Sequence, residues 1–104
     1  MFIEKLTRQD VEAFIKALGL EERYEITSVN HINVYSLNKW DIRLKSKSTG
    51  LRAGIAFDDF VVFGDTNYYT KNIFKAFMYA KFGEEYKQAF NERLKRKYEA
   101  ELIK

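Results

Sequence analysis

The alternation of apolar and charged residues between Lys39 and Lys47 is the clearest pattern in the chain. Trp40, Ile42 and Leu44 occupy even positions, whereas the odd positions are all charged. A period of two predicts a β-strand with one buried face and one exposed face. The exposed face carries four cations and one acid, so it is suited to contact an anion or an acidic partner: Lys39, Asp41, Arg43, Lys45 and Lys47.

A helix over residues 8–18 is expected before this strand. Thr7 is a favourable N-cap residue, and Asp10 at the third helical position completes a near-capping box. Leu6, before the cap, is placed to pack on the first turn. The apolar residues that follow recur at helical spacing and form one stripe: Val11, Phe14, Ile15 and Leu18. Gly19 supplies the left-handed residue that commonly ends helices.

Strands are expected through the middle of the chain. The alternating and β-branched positions predict a long or bulged strand over 24–36, followed by strands over 39–46, 51–57 and 60–63. Turns are expected at Leu37-Asn38, in the polar loop 46–50 and at Asp58-Asp59. Asn30-His31 is an alternative turn that would divide the first strand.

The rest of the chain has a helical pattern. Pro is absent, and Gly83 would either separate two helices or kink one. Beyond Gly83, apolar residues follow at strict i+4 steps: Tyr86, Phe90, Leu94, Tyr98 and Leu102. This narrow stripe could pack on the sheet or on a second copy, which would give a homodimer through the C-terminal helix. The sequence therefore predicts a single α+β domain over 1–104, in the order α-β-β-β-(β)-α-α.

Composition argues against an enzyme. The chain has 104 residues and no cysteine, which excludes disulfides, thiolate metal sites and cysteine catalysis. His31 is the single histidine, and no glycine-rich phosphate loop is present, so no catalytic residues, cofactor or metal ligands are expected. No apolar run approaches the roughly 20 residues that span a bilayer. A cytoplasmic protein without membrane contact is expected.

The element order is similar to that of double-stranded-RNA-binding domains. Those domains carry a Gly-Pro-x-His loop and a Lys-Lys-x-Ala-Lys start to the last helix. This chain has no Pro, and Tyr69-Thr70-Lys71-Asn72-Ile73-Phe74-Lys75 stands where the last helix would begin. The resemblance is one of topology, which does not carry function.

A protein partner is the function that the sequence favours. The chain contains nine Phe and seven Tyr, and amphipathic rings are common anchors of protein interfaces. In size and style the chain is similar to the small anti-CRISPR inhibitors of bacteriophages, although no motif carries that likeness. We expect a regulator or inhibitor of the phage or mobile-element type. Its expected contact surface is an acidic segment beside two tyrosines: Asp58, Asp59, Asp65, Tyr68 and Tyr69.

Direct binding of duplex DNA or RNA is the alternative. Lys and Arg neutralise phosphates and release counterions, which supplies most sequence-independent affinity. The net charge of +3 is mild for this role. The contacts would come from the basic strand face and the last helix: Lys39, Arg43, Lys45, Lys47, Arg52, Arg93, Arg96 and Lys97.

Overall fold

A computed structural model describes residues 1–64 and 68–103. The first helix is α1, and two helices end the described chain. Four strands lie between them. The bounds are α1 Arg8–Ala17, β1 Tyr24–Val34, β2 Leu37–Ser46, β3 Arg52–Phe57, β4 Val62–Gly64, α2 Tyr68–Phe82 and α3 Glu84–Ile103, with 3₁₀ turns at Ile3–Lys5 and Leu20–Glu22. The predicted α+β class and element order are confirmed.

The sheet is antiparallel throughout, with strand order β1-β2-β3-β4. The helices cover one face of it, because the inward residues of α1, α2 and α3 share a single core with those of the strands. The other face is left open. Trp40, Ile42 and Leu44 are buried on the helical side, as the alternating pattern predicted.

The start of α1 follows the sequence signals closely. The Thr7 side chain accepts from the backbone N–H of Asp10, and the Asp10 carboxylate accepts from the N–H of Thr7. This reciprocal pair satisfies two amides that would otherwise lack partners at the helix start. Leu6 is buried, and Gly19 takes the left-handed conformation after the helix.

The first strand is continuous and carries a bulge at Thr27. Ile26 pairs with Leu44 and Ser28 pairs with Arg43, so Thr27 has no opposite residue. Because of the extra residue, even-numbered residues face the core before the bulge and odd-numbered residues face it after the bulge. Asn30 and His31 pair with β2, so the alternative turn at Asn30-His31 is wrong.

The first hairpin turns two residues earlier than Leu37-Asn38. Val34 pairs directly with Leu37, which leaves Tyr35 and Ser36 as a two-residue loop. Tyr35 has φ 54°, a left-handed conformation rare for residues other than glycine. The sequence did not indicate the turn because tyrosine is not a typical turn residue. Leu51 is exposed before β3, and the fourth strand is Val62–Gly64 rather than 60–63.

Aromatic rings fill much of the core. Phe14 lies within 5.4–5.7 Å, between ring centroids, of Phe57, Phe74 and Phe77. A second group surrounds Tyr86 and includes Phe2 and Phe60. Edge and tilted packing of such rings adds to the free energy gained by burying them.

Gly83 separates α2 from α3, so two helices form rather than one kinked helix. Tyr86 is fully buried and Phe90 is half-buried, but every residue from Asn91 to Leu102 is exposed. The molecule is correspondingly long, at 48 × 29 × 29 Å. No described helix is long and apolar enough to cross a membrane.

Candidate binding surfaces

The open face of the sheet gathers four cations from β2 and β3. Because side chains alternate along a strand, Lys39, Arg43 and Lys45 lie opposite the core, and Arg52 joins them from β3. Arg43, Lys45 and Arg52 line an open groove of about 790 Å³ with the polar side chains of Thr27 and Ser28. We call these three cations and the groove between them the basic groove.

Two carboxylates, those of Asp41 and Glu25, lie near these cations and reduce the net positive charge of the face. Arg43 donates from Nε to Oδ2 of Asp41 at 2.8 Å. Glu25 stands opposite Lys45 on β1, but the two side chains form no ion pair within 4.0 Å. Arg52 likewise has no carboxylate partner among the described residues. The groove therefore keeps cationic groups available to an incoming anion.

Lys45 and Arg52 stand directly opposite each other in the β2–β3 ladder. Like charges in such a pair destabilise a sheet. Glu25, opposite Lys45 on β1, offsets part of this repulsion, and an anion bound between Lys45 and Arg52 would offset more of it.

The remaining predicted cations lie elsewhere. Lys47 is beyond β2 and donates from Nζ to the carbonyl oxygen of Glu21 at 2.7 Å. Arg93 lies over the ring of Phe60, with 5.5 Å from its guanidinium carbon to the ring centroid. Arg96 pairs with a neighbouring glutamate on the same helix, and Lys97 is exposed there. The basic groove is lined by residues of β1, β2 and β3, and these α3 cations are not among them.

The predicted acidic surface is largely engaged in holding the fold. The Asp58 carboxylate accepts from the backbone N–H groups of Phe60 and Val61 in the turn after β3. Asp59 accepts at one carboxylate oxygen from the backbone N–H of both Phe2 and Ile3, at 2.7 and 2.9 Å.

The tyrosines predicted beside this acidic surface are only partly described. Tyr69 is exposed at the start of α2. Asp65 and the side chain of Tyr68 lie outside the part of the chain that the structure describes. The contact surface expected from the sequence thus retains one described side chain, that of Tyr69, which is free for a partner.

The tip of the β1–β2 hairpin is a surface that the sequence did not indicate. Tyr35 is fully exposed, and its neighbours Val34 and Leu37 each expose about half of their surface. These three residues form what we call the hairpin tip. A two-residue turn between alternating strands could have suggested it, but the turn was expected at Leu37-Asn38.

His31 belongs to a structural network rather than a turn. Its ring stacks on Trp40, with 5.0 Å between centroids, and its Nε2 lies 2.6 Å from Oδ1 of Asn38. Asn38 in turn donates to Glu4, whose carboxyl pKa is lowered chiefly by the hydrogen bond from the N-terminal ammonium of Met1. The chain of contacts fastens the start of the protein to the hairpin.

The described residues offer no metal centre, since no three of their His, Asp or Glu side chains are grouped to hold an ion. A smaller apolar pocket of about 290 Å³ lies between the β3–β4 turn, α2 and α3, with Lys71 and Lys75 among its lining residues. Comparison with known proteins gave no match to any family model, curated protein or solved structure.

Proposed function

We propose that this protein is a non-catalytic binding module that docks on a protein partner through the hairpin tip. The observation that carries the proposal is Tyr35, a fully exposed tyrosine in a left-handed backbone conformation. Tyrosine at such a position costs about 1–2 kcal/mol relative to glycine. The fold gains nothing visible from the ring, because the ring contacts no other part of the molecule.

The residues around Tyr35 suit a protein surface better than a nucleic acid. Val34 and Leu37 add exposed aliphatic area on either side of the turn. Tyrosine rings flanked by apolar side chains are typical anchors of protein interfaces. Grouped exposed apolar residues of this kind commonly mark interaction sites.

The charge of the open sheet face favours a partner with acidic groups. Lys39 lies on that face of the hairpin nearest the tip, and the basic groove lies farther along it. We place the protein among small cytoplasmic regulators or inhibitors of the phage or mobile-element type. The absence of cysteine fits a reducing compartment, and the described residues form no His, Asp or Glu cluster that could hold a metal ion, which supports a binding role.

Replacement of Tyr35 by glycine tests the proposal. Glycine adopts a positive φ without strain, so Tyr35→Gly should keep or slightly raise the free energy of unfolding while it removes the anchor. Tyr69→Ala removes an exposed ring elsewhere and is the matched control. The immobilised wild type and Tyr69→Ala should capture the same protein partner from the source cell. Tyr35→Gly should not capture it. Affinity for the purified partner should fall by about 2 kcal/mol or more. Capture of the same partner at unchanged affinity by Tyr35→Gly would contradict the proposal.

Binding of duplex DNA or RNA is a second candidate, favoured by the opposition of Lys45 and Arg52. Fluorescence anisotropy with labelled duplexes at low and physiological salt tests it, since phosphate contacts give affinity that falls steeply with salt. Arg52→Glu should abolish such binding and stabilise the sheet by some tenths of a kcal/mol, because it places an acid opposite Lys45. No binding by the wild type at low salt would remove this candidate.

A further inference from the structure

The end of α3 projects from the body with an unpartnered apolar stripe. Leu94, Tyr98 and Leu102 are 46%, 65% and 68% exposed, and they follow one another at i+4 steps along one side of the helix. The exposed part, from Asn91 to Leu102, extends about 18 Å at the helical rise of 1.5 Å per residue. An isolated helix of this length is marginal in water, so packing against a partner would stabilise it.

Charged residues flank the stripe in the same order on both sides. With successive residues 100° apart around the helix, Lys95 and Glu99 fall on one flank of Tyr98. Lys97 and Glu101 fall on the other flank. On each flank a cation precedes an acid by one turn of helix.

This order is complementary to itself when two copies lie antiparallel. In an antiparallel pair with Tyr98 at the two-fold axis, Leu94 meets Leu102 of the second copy. Each flank then faces the same flank of the second copy, running in the opposite direction. Lys95 comes beside Glu99 of the second copy, and Lys97 beside its Glu101. At the helical rise, Glu99 and Lys97 also come equally near their own counterparts across the axis, so each flank has two contacts of opposite charge against one of like charge. Opposite charges beside an apolar seam are the usual determinants of helix pairing and orientation.

A parallel pair would have the opposite electrostatics. The flank with Lys95 and Glu99 would face the flank with Lys97 and Glu101, which brings lysine to lysine and glutamate to glutamate. Glu99 would also come beside Lys97, so each side has two contacts of like charge against one of opposite charge. It would also place the two bodies side by side at the same end of the seam. The antiparallel arrangement places them at opposite ends, so they do not collide.

Pairing within one helix does not use these charges. Lys95 and Glu99 are four residues apart, as are Lys97 and Glu101, but neither pair forms an ion pair within 4.0 Å. The lysine-before-glutamate order is the weaker one for pairs within a helix. The described ion pair on α3 is Glu92–Arg96, which lies outside the stripe.

We propose that the exposed end of α3 is a homodimerisation surface, occupied by the same segment of a second copy in antiparallel orientation. The contact is small, with three apolar side chains from each copy, so it belongs with weak and reversible interfaces. The resulting dimer would carry two hairpin tips on two separate bodies. This inference does not depend on the function proposed for the hairpin tip.

Complementary charge exchange provides the test, with mass measured by sedimentation equilibrium. Wild-type protein should rise from 12.4 kDa toward twice that mass as its concentration increases from low micromolar to near-millimolar. Two double variants are compared with it: Lys95→Glu with Lys97→Glu, and Glu99→Lys with Glu101→Lys. Each variant alone should stay monomeric, because its flanks carry one sign of charge only. An equimolar mixture of the two should recover the doubled mass.

Circular dichroism shows whether a variant stays monomeric only because its helix has unfolded. All four substitutions are at exposed helical positions and should leave the helix content unchanged. The proposal is overturned if the wild type stays monomeric over the whole series. It is equally overturned if either variant dimerises as the wild type does. A mixture of helical variants that remains monomeric would also refute it.

Discussion

The phenol of Tyr86 donates a 2.8 Å hydrogen bond to the backbone carbonyl of Asp59, across 27 residues of chain. The carboxylate of Asp59 accepts in turn from the backbone N–H groups of Phe2 and Ile3. The first residues of the chain, the turn between β3 and β4, and the start of α3 are therefore joined at one point. Three segments that are far apart in sequence depend on each other for their hydrogen bonds.

Tyr86→Phe should lower the free energy of unfolding by about 1–2 kcal/mol, because the ring stays buried while the Asp59 carbonyl loses its donor. Urea denaturation measures the change. Tyr69→Phe makes the same chemical change at an exposed position outside the α3 stripe and should have little effect. Equal losses in the two variants would contradict the assigned role of the Tyr86 hydroxyl.

The pH dependence of stability should also change in Tyr86→Phe. Burial, more than any neighbouring charge, raises the pKa of the Tyr86 phenol well above its ordinary value of 10.0. The contribution of this group to stability is complete below that ordinary value and is lost as the pH rises above it, because only the unfolded chain then ionises readily. The difference in free energy of unfolding between wild type and Tyr86→Phe should therefore decrease from about pH 9 to about pH 11. This range lies around the ordinary tyrosine pKa. A constant gap over that range would refute this.

Asp59→Ala should destabilise the protein by about 2 kcal/mol or more, since two partly buried N–H groups lose an ionised acceptor. Asp59→Asn is the informative comparison. Its amide oxygen can still accept from Phe2 and Ile3, so its loss should be smaller. Amide hydrogen exchange at those two residues should accelerate in the alanine variant. If both amides keep their protection, the Asp59 contact does not hold the N-terminal segment.

Gly64→Ala should be among the most disruptive single changes in the sheet. Gly64 has φ +101°, and a Cβ there would stand 2.3 Å from the backbone carbonyl oxygen of Gly54. The obstacle is backbone, so β4 would have to move away from β3, at a cost above the 1–3 kcal/mol of ordinary overpacking. Gly83→Ala is the control, because its φ is also positive but its added Cβ meets open space. That control should cost about 1–2 kcal/mol, and thermal denaturation compares the two.

The capping box of α1 should give an acid-dependent contribution to stability. The hydrogen bond from the Thr7 amide is the main cause that lowers the pKa of the Asp10 carboxyl below 3.8. The stabilisation is present above that ordinary value and is lost as the pH falls below it. Asp10→Asn should therefore have a lower free energy of unfolding than wild type at neutral pH. The difference between the two proteins should disappear in acid. Thr7→Ala should lower the free energy of unfolding by about 1 kcal/mol at neutral pH. Urea denaturation at neutral and acid pH measures both variants.

Regular periodicity made most of the fold predictable from the sequence. The α1 stripe and the strand around Trp40 follow from residue spacing and local backbone preference alone, whereas the sequence left open whether Gly83 separates two helices or kinks one. The hairpin turn was misplaced because Tyr35 adopts a conformation that its residue type disfavours. A local signal cannot reveal a turn that the pairing of Val34 with Leu37 imposes.

The candidate sites were less predictable, for two physical reasons. Charged residues on one strand can be assigned to a face, so the cations of the open sheet face were found. Whether a carboxylate is free depends on amides that are distant in sequence, and Asp59 binds the backbone of residues 2 and 3. The sequence likewise could not predict which part of α3 is exposed. The stripe from Tyr86 to Leu102 is regular along its length, although only its first residues are buried.

The bulge at Thr27 has a consequence for the behaviour of concentrated protein. β1 is an edge strand of eleven residues, long enough to recruit a strand from another molecule. The extra residue bends the backbone and interrupts its regular hydrogen-bonding repeat at the fourth of the eleven residues. An incoming strand that pairs with β1 from Tyr24 would therefore meet a break in register after three residues. The same residue that turns Val29 toward the core should therefore hinder growth of the sheet into fibrils.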